Sequence, residues 1–180
     1  VTSAATASFA ENGSGTVYTA AATDPDAGAT ITYSISGTDA SLFNINATTG
    51  AVTFKSSPNY EAPGDTGGNN VYDVNVTASD GTNSTTKAVA ITVTNVNEAP
   101  VISSNGAGAT AAVSVAENST AVTTVTSTDV DAGATLTYTI SGADASLFTI
   151  DASSGVLSFI AAPSYEAPGD AGADNVYDVT

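Results

Sequence analysis

The residues of this chain that could do chemistry carry oxygen, and they occur in short clusters. Asp24 and Asp26 are separated by one residue, and the arrangement recurs at Asp129 and Asp131, each time before an Ala-Gly pair. Two carboxylates on one turn can direct their oxygens at a hard cation such as Ca²⁺, which takes 6–8 oxygen ligands. Asp and Gly also favour turns for local backbone reasons. Taken singly, each Asp-x-Asp is better explained as a turn.

The side chains that the sequence lacks narrow the function further. The chain has no Cys and no His, and Lys55 and Lys87 are its two basic residues. Ser/His/Asp triads and the usual zinc sites therefore cannot be built, and no glycine-rich nucleotide motif occurs. Paired carboxylates can hydrolyse glycosides, but turns and metal ligands account for all 18 acidic residues. We expect no enzyme and no catalytic residue.

The charge balance excludes some partners and suggests another. A formal net charge of −16 leaves nothing to neutralise a row of phosphates, so we expect no nucleic-acid binding and no attraction to an anionic membrane. Apolar residues make up 42% of the chain, enough for a packed core. Uncompensated charge destabilises a compact state. A bound cation would relieve it; the alternative is a solubility surface suited to salty surroundings.

The sequence consists of two copies of one unit. Residues 23–74 align with residues 128–179 without a gap, with 34 identities in 52 positions at an offset of 105. That period is too long for a solenoid repeat and suits a β-sandwich domain. We predict a first domain over 1–98, a linker and strand lead-in over 99–106, and a second domain over 107–180. No counterpart of 75–100 follows copy two, so we expect both ends to be cuts within a longer array.

Alternating apolar and polar residues predict strands throughout. The clearest alternation falls at Ile31–Ile35, Tyr72–Ala78 and Val89–Val93, and shorter strands are predicted at 5–10, 16–22, 43–46 and 51–55. Helical periodicity is not apparent, nor is a signal peptide or an apolar stretch long enough to span a bilayer. The predicted fold class is all-β: tandem seven-stranded Greek-key β-sandwiches, immunoglobulin-like, with the second copy truncated and therefore less stable.

Five weak elements in order resemble the cadherin repeat. They are an early Glu11, the Asp-x-Asp at Asp24, the triplet Asn59-Tyr60-Glu61, Asp80-Gly81 and the linker Asn95-Val96-Asn97-Glu98. The sequences Val-Asn-Glu-Ala-Pro and Tyr-Glu-Ala-Pro-Gly-Asp look more like bacterial cadherin-like repeats of large surface proteins than like animal cadherins. The resemblance covers copy one and the available part of copy two.

The resemblance implies calcium sites where adjacent repeats join. Carried over by position, the junction ligands are Glu11, Glu61, Asn95, Asn97, Glu98, Asp129 and Asp131. A site facing a preceding repeat would use Asp24, Asp26 and Asp80, and a site facing a following repeat would use Glu117 and Glu166.

Some positions depart from the family pattern. Asn59, Ser164 and Asn95 stand where the family usually has Asp, Glu98 takes an Asp position, and Ala99 supplies no side-chain oxygen. These departures imply fewer ions or weaker binding, with an affinity on the order of 10⁻⁴–10⁻³ M, as in extracellular modules.

A second candidate cation site is the loop that follows the triplet. Asp65 and Asn69, with Asp170 and Asp174 in copy two, could wrap an ion locally. A hairpin loop that uses Gly and Asn for positive φ is the favoured interpretation.

The favoured function is a calcium-binding structural repeat that rigidifies a multidomain extracellular or cell-surface protein, an adhesin involved in cell adhesion. Adjacent repeats of the same chain are the expected partners. The alternatives are a binding module for carbohydrate or for a like domain on another cell, and an accessory stalk of a secreted hydrolase. Tyr18 is one of the aromatic residues least clearly committed to a core and could stack against a sugar, although a lone tyrosine is usually just a strand residue.

Overall fold

The computed structural model describes residues 1–26 and 28–180. The chain divides into two compact units, Val1–Asn97 and Glu98–Thr180. No helix among the described residues is long and apolar enough to cross a bilayer.

Unit 1 is built from strands at the places where the alternation predicts them. They are β1 (Thr6–Ala10), β2 (Thr16–Thr19), β3 (Thr32–Ser36), β4 (Phe43–Ile45), β5 (Ala51–Phe54), β6 (Val71–Ser79) and β7 (Ser84–Thr94). One sheet has the order β1-β7-β6-β3 and the other has the order β2-β5-β4. The pairing is antiparallel except between β1 and β7, which run parallel. The all-β prediction is confirmed.

The apolar face of each long strand forms the core of unit 1. Along β6, Tyr72, Val74 and Val76 are at most 2% exposed, and the facing residues of β7 include Val89 and Ile91. Because side chains alternate between the faces of a strand, the intervening polar residues point away from this core.

An aromatic cluster joins the two sheets of unit 1. Phe43 and Phe54 lie on neighbouring strands of the smaller sheet with ring centroids 4.3 Å apart, and Tyr72 of the larger sheet meets both edge-on. Such edge-to-face contacts add to the area that the rings bury.

Strand β7 is longer than predicted because its first residues, which are exposed to solvent, also pair with β6. Ser84 pairs with Ser79 and Thr86 with Thr77, and the two threonine hydroxyls lie 2.8 Å apart. Side chains on both faces are polar there, so the sequence carries no alternation to mark the strand.

Unit 2 contains shorter strands. They are β8 (Val101–Ile102), β9 (Ala121–Thr124), β10 (Ser127–Thr128), β11 (Phe148–Ile150) and β12 (Val156–Phe159). β11, β12 and β9 form one sheet and β10 pairs with β8. Its buried cluster of Phe148, Leu157 and Phe159 repeats, on the same register, the Phe43–Phe54 packing of unit 1.

The stretch of unit 2 that aligns with β3 does not form a strand. In unit 1, β3 pairs with residues 75–79 of β6; the counterparts of those residues begin at Thr180. Ser141 and Thr180 exchange two backbone hydrogen bonds of 2.7 Å, which reproduces the single available pair of that ladder. Among the described residues, unit 1 contains seven strands and unit 2 has fewer pairings. The tandem of Greek-key sandwiches stays a prediction.

Candidate metal centre

Glu11 is a buried carboxylate held by backbone donors. It follows the last residue of β1 and is 2% exposed. The N–H of Tyr60 donates to Oε2 at 2.7 Å and the N–H of Val96 donates to Oε1 at 2.9 Å. Because a charged group is costly to bury without partners, these bonds fix the position of both oxygens. They also anchor the segment after β7 to the end of β1.

Glu61 brings a second carboxylate to the same place. One of its carboxylate oxygens lies within 4.8 Å of one from Glu11. Oxygens that bind a single Ca²⁺ at 2.3–2.6 Å can lie up to about 5 Å apart, so this pair has a separation that one ion can bridge. The two lysine amino groups are engaged elsewhere, by the carbonyls of Ser41 and Ser3. The arrangement concentrates negative charge and can hold a hard divalent cation.

Asn95 and Asn97 flank the residue that donates to Glu11. Both are exposed and follow the end of β7. The Val96 bond therefore holds the backbone between two predicted amide ligands.

The predicted ligands of unit 2 form a cluster of their own. The N–H of Glu98 donates to Asp131 Oδ2 at 2.8 Å, and the N–H of Asp131 donates to Asp129 Oδ1 at 2.9 Å. All three residues are half-buried. This unit thus supplies two carboxylates on one turn, already organised by backbone donors.

The three residues predicted to face a preceding repeat occupy turns. The N–H of Asp26 donates to Asp24 Oδ1 at 2.8 Å. Asp80 Oδ1 accepts from Thr82 and Asn83 at 2.7 and 2.6 Å. The Asn83 and Thr82 donors lower the pKa of Asp80. These geometries are those of Asx turns.

Glu117 and Glu166, the ligands predicted at the far end of unit 2, are both exposed. The N–H of Tyr165 donates to Glu117 Oε2 at 3.1 Å, which repeats the bond between Tyr60 and Glu11. Glu117 is exposed, whereas Glu11 is buried.

The loop candidate uses its carboxylates to organise its own backbone. Asp65 is 6% exposed and accepts from Asn69 and Asn70 at 3.1 and 3.0 Å. Asp170 repeats both bonds, and the Asp174 N–H is the main reason that its pKa is lowered. These contacts support the hairpin-loop interpretation for Asp65, Asn69, Asp170 and Asp174.

Two buried acids, Asp39 and its counterpart Asp144, were missed by the reasoning from sequence. Asp39 is 3% exposed and accepts from the N–H and hydroxyl of Thr66 and from the N–H of Asp73, each at 2.8 Å. It precedes a 3₁₀ helix at Ala40–Leu42, and Asp144 makes the same backbone contacts before the copy at Ala145–Leu147. The identity of the two copies at this position is the signal that could have found them.

Tyr18 does not present a face for sugar stacking. It is 7% exposed, and its hydroxyl donates to the Ala4 carbonyl at 2.7 Å. It belongs to the core of unit 1.

Comparisons with known proteins agree with this fold. Residues 5–94 match the model of the cadherin domain, whereas no curated protein sequence matches the chain. Human protocadherin-24 EC1-2 (form II) has a TM-score of 0.60 at 20% identity, covering 91% of this chain and 77% of that chain.

Two further solved structures are similar. Mouse cadherin-23 EC22-24 has a TM-score of 0.57 at 22% identity, covering 89% of this chain and 52% of that chain. Drosophila N-cadherin EC1-4 has a TM-score of 0.54 at 24% identity, covering 86% of this chain and 38% of that chain. The chain thus spans about half or less of these two. At such identities the likeness is one of fold.

Proposed function

Because the chain belongs to the cadherin domain family, we propose that it is a calcium-binding structural repeat that stiffens an extracellular adhesion protein. In this proposal the parent is a secreted or cell-surface adhesin of bacterial type, and the neighbouring repeats of its own chain are the partners. The repeats are domains of about the predicted bounds, 1–98 and 107–180. No catalytic role is proposed.

The observation that carries the proposal is the Glu11–Glu61 pair. Two carboxylate oxygens within 4.8 Å of each other, one of them from a residue that is 2% exposed, repel one another, and the backbone bonds of Glu11 keep it from turning away. A divalent cation converts this repulsion into attraction, and carboxylate oxygens are the ligands that Ca²⁺ prefers. The remaining oxygens of the shell would come from the other ligands that the sequence predicts.

The proposed junction set is unchanged from the sequence: Glu11, Glu61, Asn95, Asn97, Glu98, Asp129 and Asp131. Its mechanism is electrostatic. An ion shared by carboxylates of both units would restrain the segment between them, and removing the ion would leave like charges that repel. A string of such repeats is then stiff in calcium and flexible in chelator.

Calorimetric titration of calcium into the chain tests the binding. We expect a dissociation constant on the order of 10⁻⁴–10⁻³ M, weakened at least about tenfold by Glu61→Gln, which removes one charged ligand while leaving Glu11 and its backbone donors in place. Asp73→Asn is the matched control, because its carboxylate is exposed on β6. Equal affinity in Glu61→Gln and the wild type would contradict the assigned site.

Small-angle scattering tests the stiffening. We expect a narrower distribution of interatomic distances in calcium than in chelator, and no such difference in an Asp129→Asn/Asp131→Asn variant. An identical profile with and without calcium would leave a binding site without the mechanical role. Recognition of carbohydrate or of a like domain, and a stalk role beside a hydrolase, stay predictions from the sequence.

A further inference from the structure

We infer that Asn70 is a positioning residue for the metal centre: its side-chain amide couples the Asp65 loop to the Glu11 carboxylate. The inference rests on the proposed calcium site at Glu11 and Glu61 and adds a residue that is not among the predicted ligands. The loop that could itself have held an ion thereby acquires a different role, which is to hold the segment that orients the ligands.

The first step is the bond between Asn70 and Tyr60. Asn70 Nδ2 donates to the Tyr60 carbonyl at 2.8 Å, and the N–H of the same Tyr60 donates to Glu11 Oε2 at 2.7 Å. A carbonyl accepts only from a donor, so the contact determines which way the amide points. Asn70 thus holds the carbonyl of the Tyr60–Glu61 peptide, while the N–H on the other side of Tyr60 holds one Glu11 oxygen. It therefore restrains the residue that lies between the two predicted glutamate ligands.

The second step is that the backbone of Asn70 is itself held on both sides. Its N–H donates to Asp65 Oδ1 at 3.0 Å, and its carbonyl accepts from the Val93 N–H of β7 at 2.8 Å. It adopts a left-handed conformation with φ of 63°, which Asn tolerates better than most residues. The loop therefore presents the amide from a rigid support, since both Asn70 backbone groups are paired.

The same relay, meaning the series of hydrogen bonds that runs from the loop aspartate through the asparagine amide and the tyrosine backbone to the early glutamate, also occurs in unit 2. The Asn175 N–H donates to Asp170 Oδ1 at 3.1 Å, its Nδ2 donates to the Tyr165 carbonyl at 3.1 Å, and the Tyr165 N–H donates to Glu117 Oε2 at 3.1 Å. Its φ is also 63°. In both units the relay ends on the early glutamate that the sequence predicts as a calcium ligand.

The buried side chain of Asn70 contributes a hydrogen bond to Tyr60 at a cost to stability. The residue is 7% exposed, yet its Oδ1 is buried without a hydrogen-bond partner among the described residues. An unsatisfied buried acceptor costs free energy, so the side chain is a poor choice for stability alone. What it supplies is the Tyr60 bond. Residues that hold a metal ligand in place without contacting the metal orient that ligand, and their loss typically weakens metal affinity about 10–100-fold.

The test uses Asn70→Gly in the full chain, because Gly keeps the left-handed backbone and removes only the side chain. Hydrogen exchange in chelator reports the coupling without metal, and we expect the Tyr60 N–H to exchange at least about tenfold faster while the core Ile91 N–H is unchanged. A calcium titration followed by the Tyr60 amide resonance measures metal binding at this site. We expect the calcium affinity of Asn70→Gly to be lower than that of the wild type by about tenfold or more. Asp73→Asn is the control, with wild-type affinity at this site, because its carboxylate is exposed on β6.

The outcomes separate the inference from the proposed function. If the wild type binds no calcium, the proposed function fails and the inference fails with it. If the wild type binds calcium and Asn70→Gly binds it equally well, or leaves the Tyr60 amide unchanged, the positioning role alone is wrong. Should Asn70→Gly not fold, faster exchange of the Tyr165 amide in Asn175→Gly supports the relay, and unchanged exchange refutes it.

Discussion

Buried acids in this protein are held by backbone N–H groups. Glu11, Asp39 and Asp65 are at most 6% exposed, and each accepts at least two hydrogen bonds from backbone donors. Hydrogen bonds to charged groups are stronger than neutral ones, which is how a chain with a net charge of −16 tolerates carboxylates inside a folded unit. The acids organise loops as well as offering oxygens to a cation.

Asp39 makes the stability of unit 1 sensitive to acid. Burial acts to raise its pKa, but donors from Thr66 and Asp73 outweigh burial and leave the pKa below the ordinary 3.8. A folded-state pKa below the unfolded one means that the ionised form stabilises the fold. That contribution is complete above pH 3.8 and is lost as pH falls through the lower folded value. We expect Asp39→Asn to destabilise unit 1 by about 1–3 kcal/mol at pH 7 and progressively less below about pH 4.

Urea unfolding at a series of pH values, followed by amide resonances of unit 1, measures this difference. Asp73→Asn serves as the control, since its exposed carboxylate should change stability by less than about 0.5 kcal/mol. A difference between Asp39→Asn and wild type that stays constant from pH 7 to pH 3 would show that the charge of Asp39 does not matter.

At the scale of elements, the turn between β4 and β5 depends on a glycine. Gly50 has φ of +72°, and a Cβ at this position would lie 2.4 Å from the Ala20 carbonyl oxygen. The two residues are joined by a backbone hydrogen bond of 2.9 Å from the Ala20 N–H to the Gly50 carbonyl. The turn therefore approaches the chain after β2 so closely that no side chain fits.

Gly50→Ala should accordingly destabilise unit 1 more than a substitution that only strains the backbone. Gly68 has φ of +62° and open space around the added Cβ, so Gly68→Ala should cost about 1–2 kcal/mol. The clash at Gly50 adds about 1–3 kcal/mol to such a strain. Urea denaturation of the two variants compares them directly, and equal stabilities would mean that the Ala20 segment moves aside freely.

At the scale of the whole molecule, the two units have unequal cores. Among the described residues, unit 1 contains twelve buried apolar residues and unit 2 contains three. Several large side chains of unit 2 remain exposed, including Val101 at 63% and Ile160 at 62%. Since buried apolar area is the main stabilising term, we predict that unit 2 is the less stable of the two.

We expect unit 2 to unfold at a lower urea concentration than unit 1. Hydrogen exchange at matched positions of the two copies measures this, because Phe43 corresponds to Phe148 and Phe54 to Phe159. The amides of the unit 2 pair should exchange at least about tenfold faster, which corresponds to about 1.4 kcal/mol. Equal protection of the matched pairs would show that the smaller buried core of unit 2 does not lower its stability.

Strand positions in unit 1 could be predicted because each long strand is buried on one face. Alternation at Tyr72–Ala78 and Val89–Val93 matches the observed β6 and β7, and the short strands lie within a few residues of their predicted bounds. Where both faces are polar, as at Ser84–Thr86, or where pairing depends on a partner segment, as after Tyr138, local pattern does not decide the structure.

For the candidate metal site too, part was determined by the sequence and part by the tertiary structure. Residue types, charge and the repeat by themselves determined that oxygen ligands, a cation and an all-β cadherin-like unit were to be expected, because these depend on composition and local order. Tertiary structure decided which carboxylates are buried. It also decided that Glu11, Tyr60 and Asn70 form one relay. Glu11 and Asn70 are 59 positions apart. Contacts at that separation exist only once β7 pairs with both β1 and β6, since the free chain leaves these groups in water.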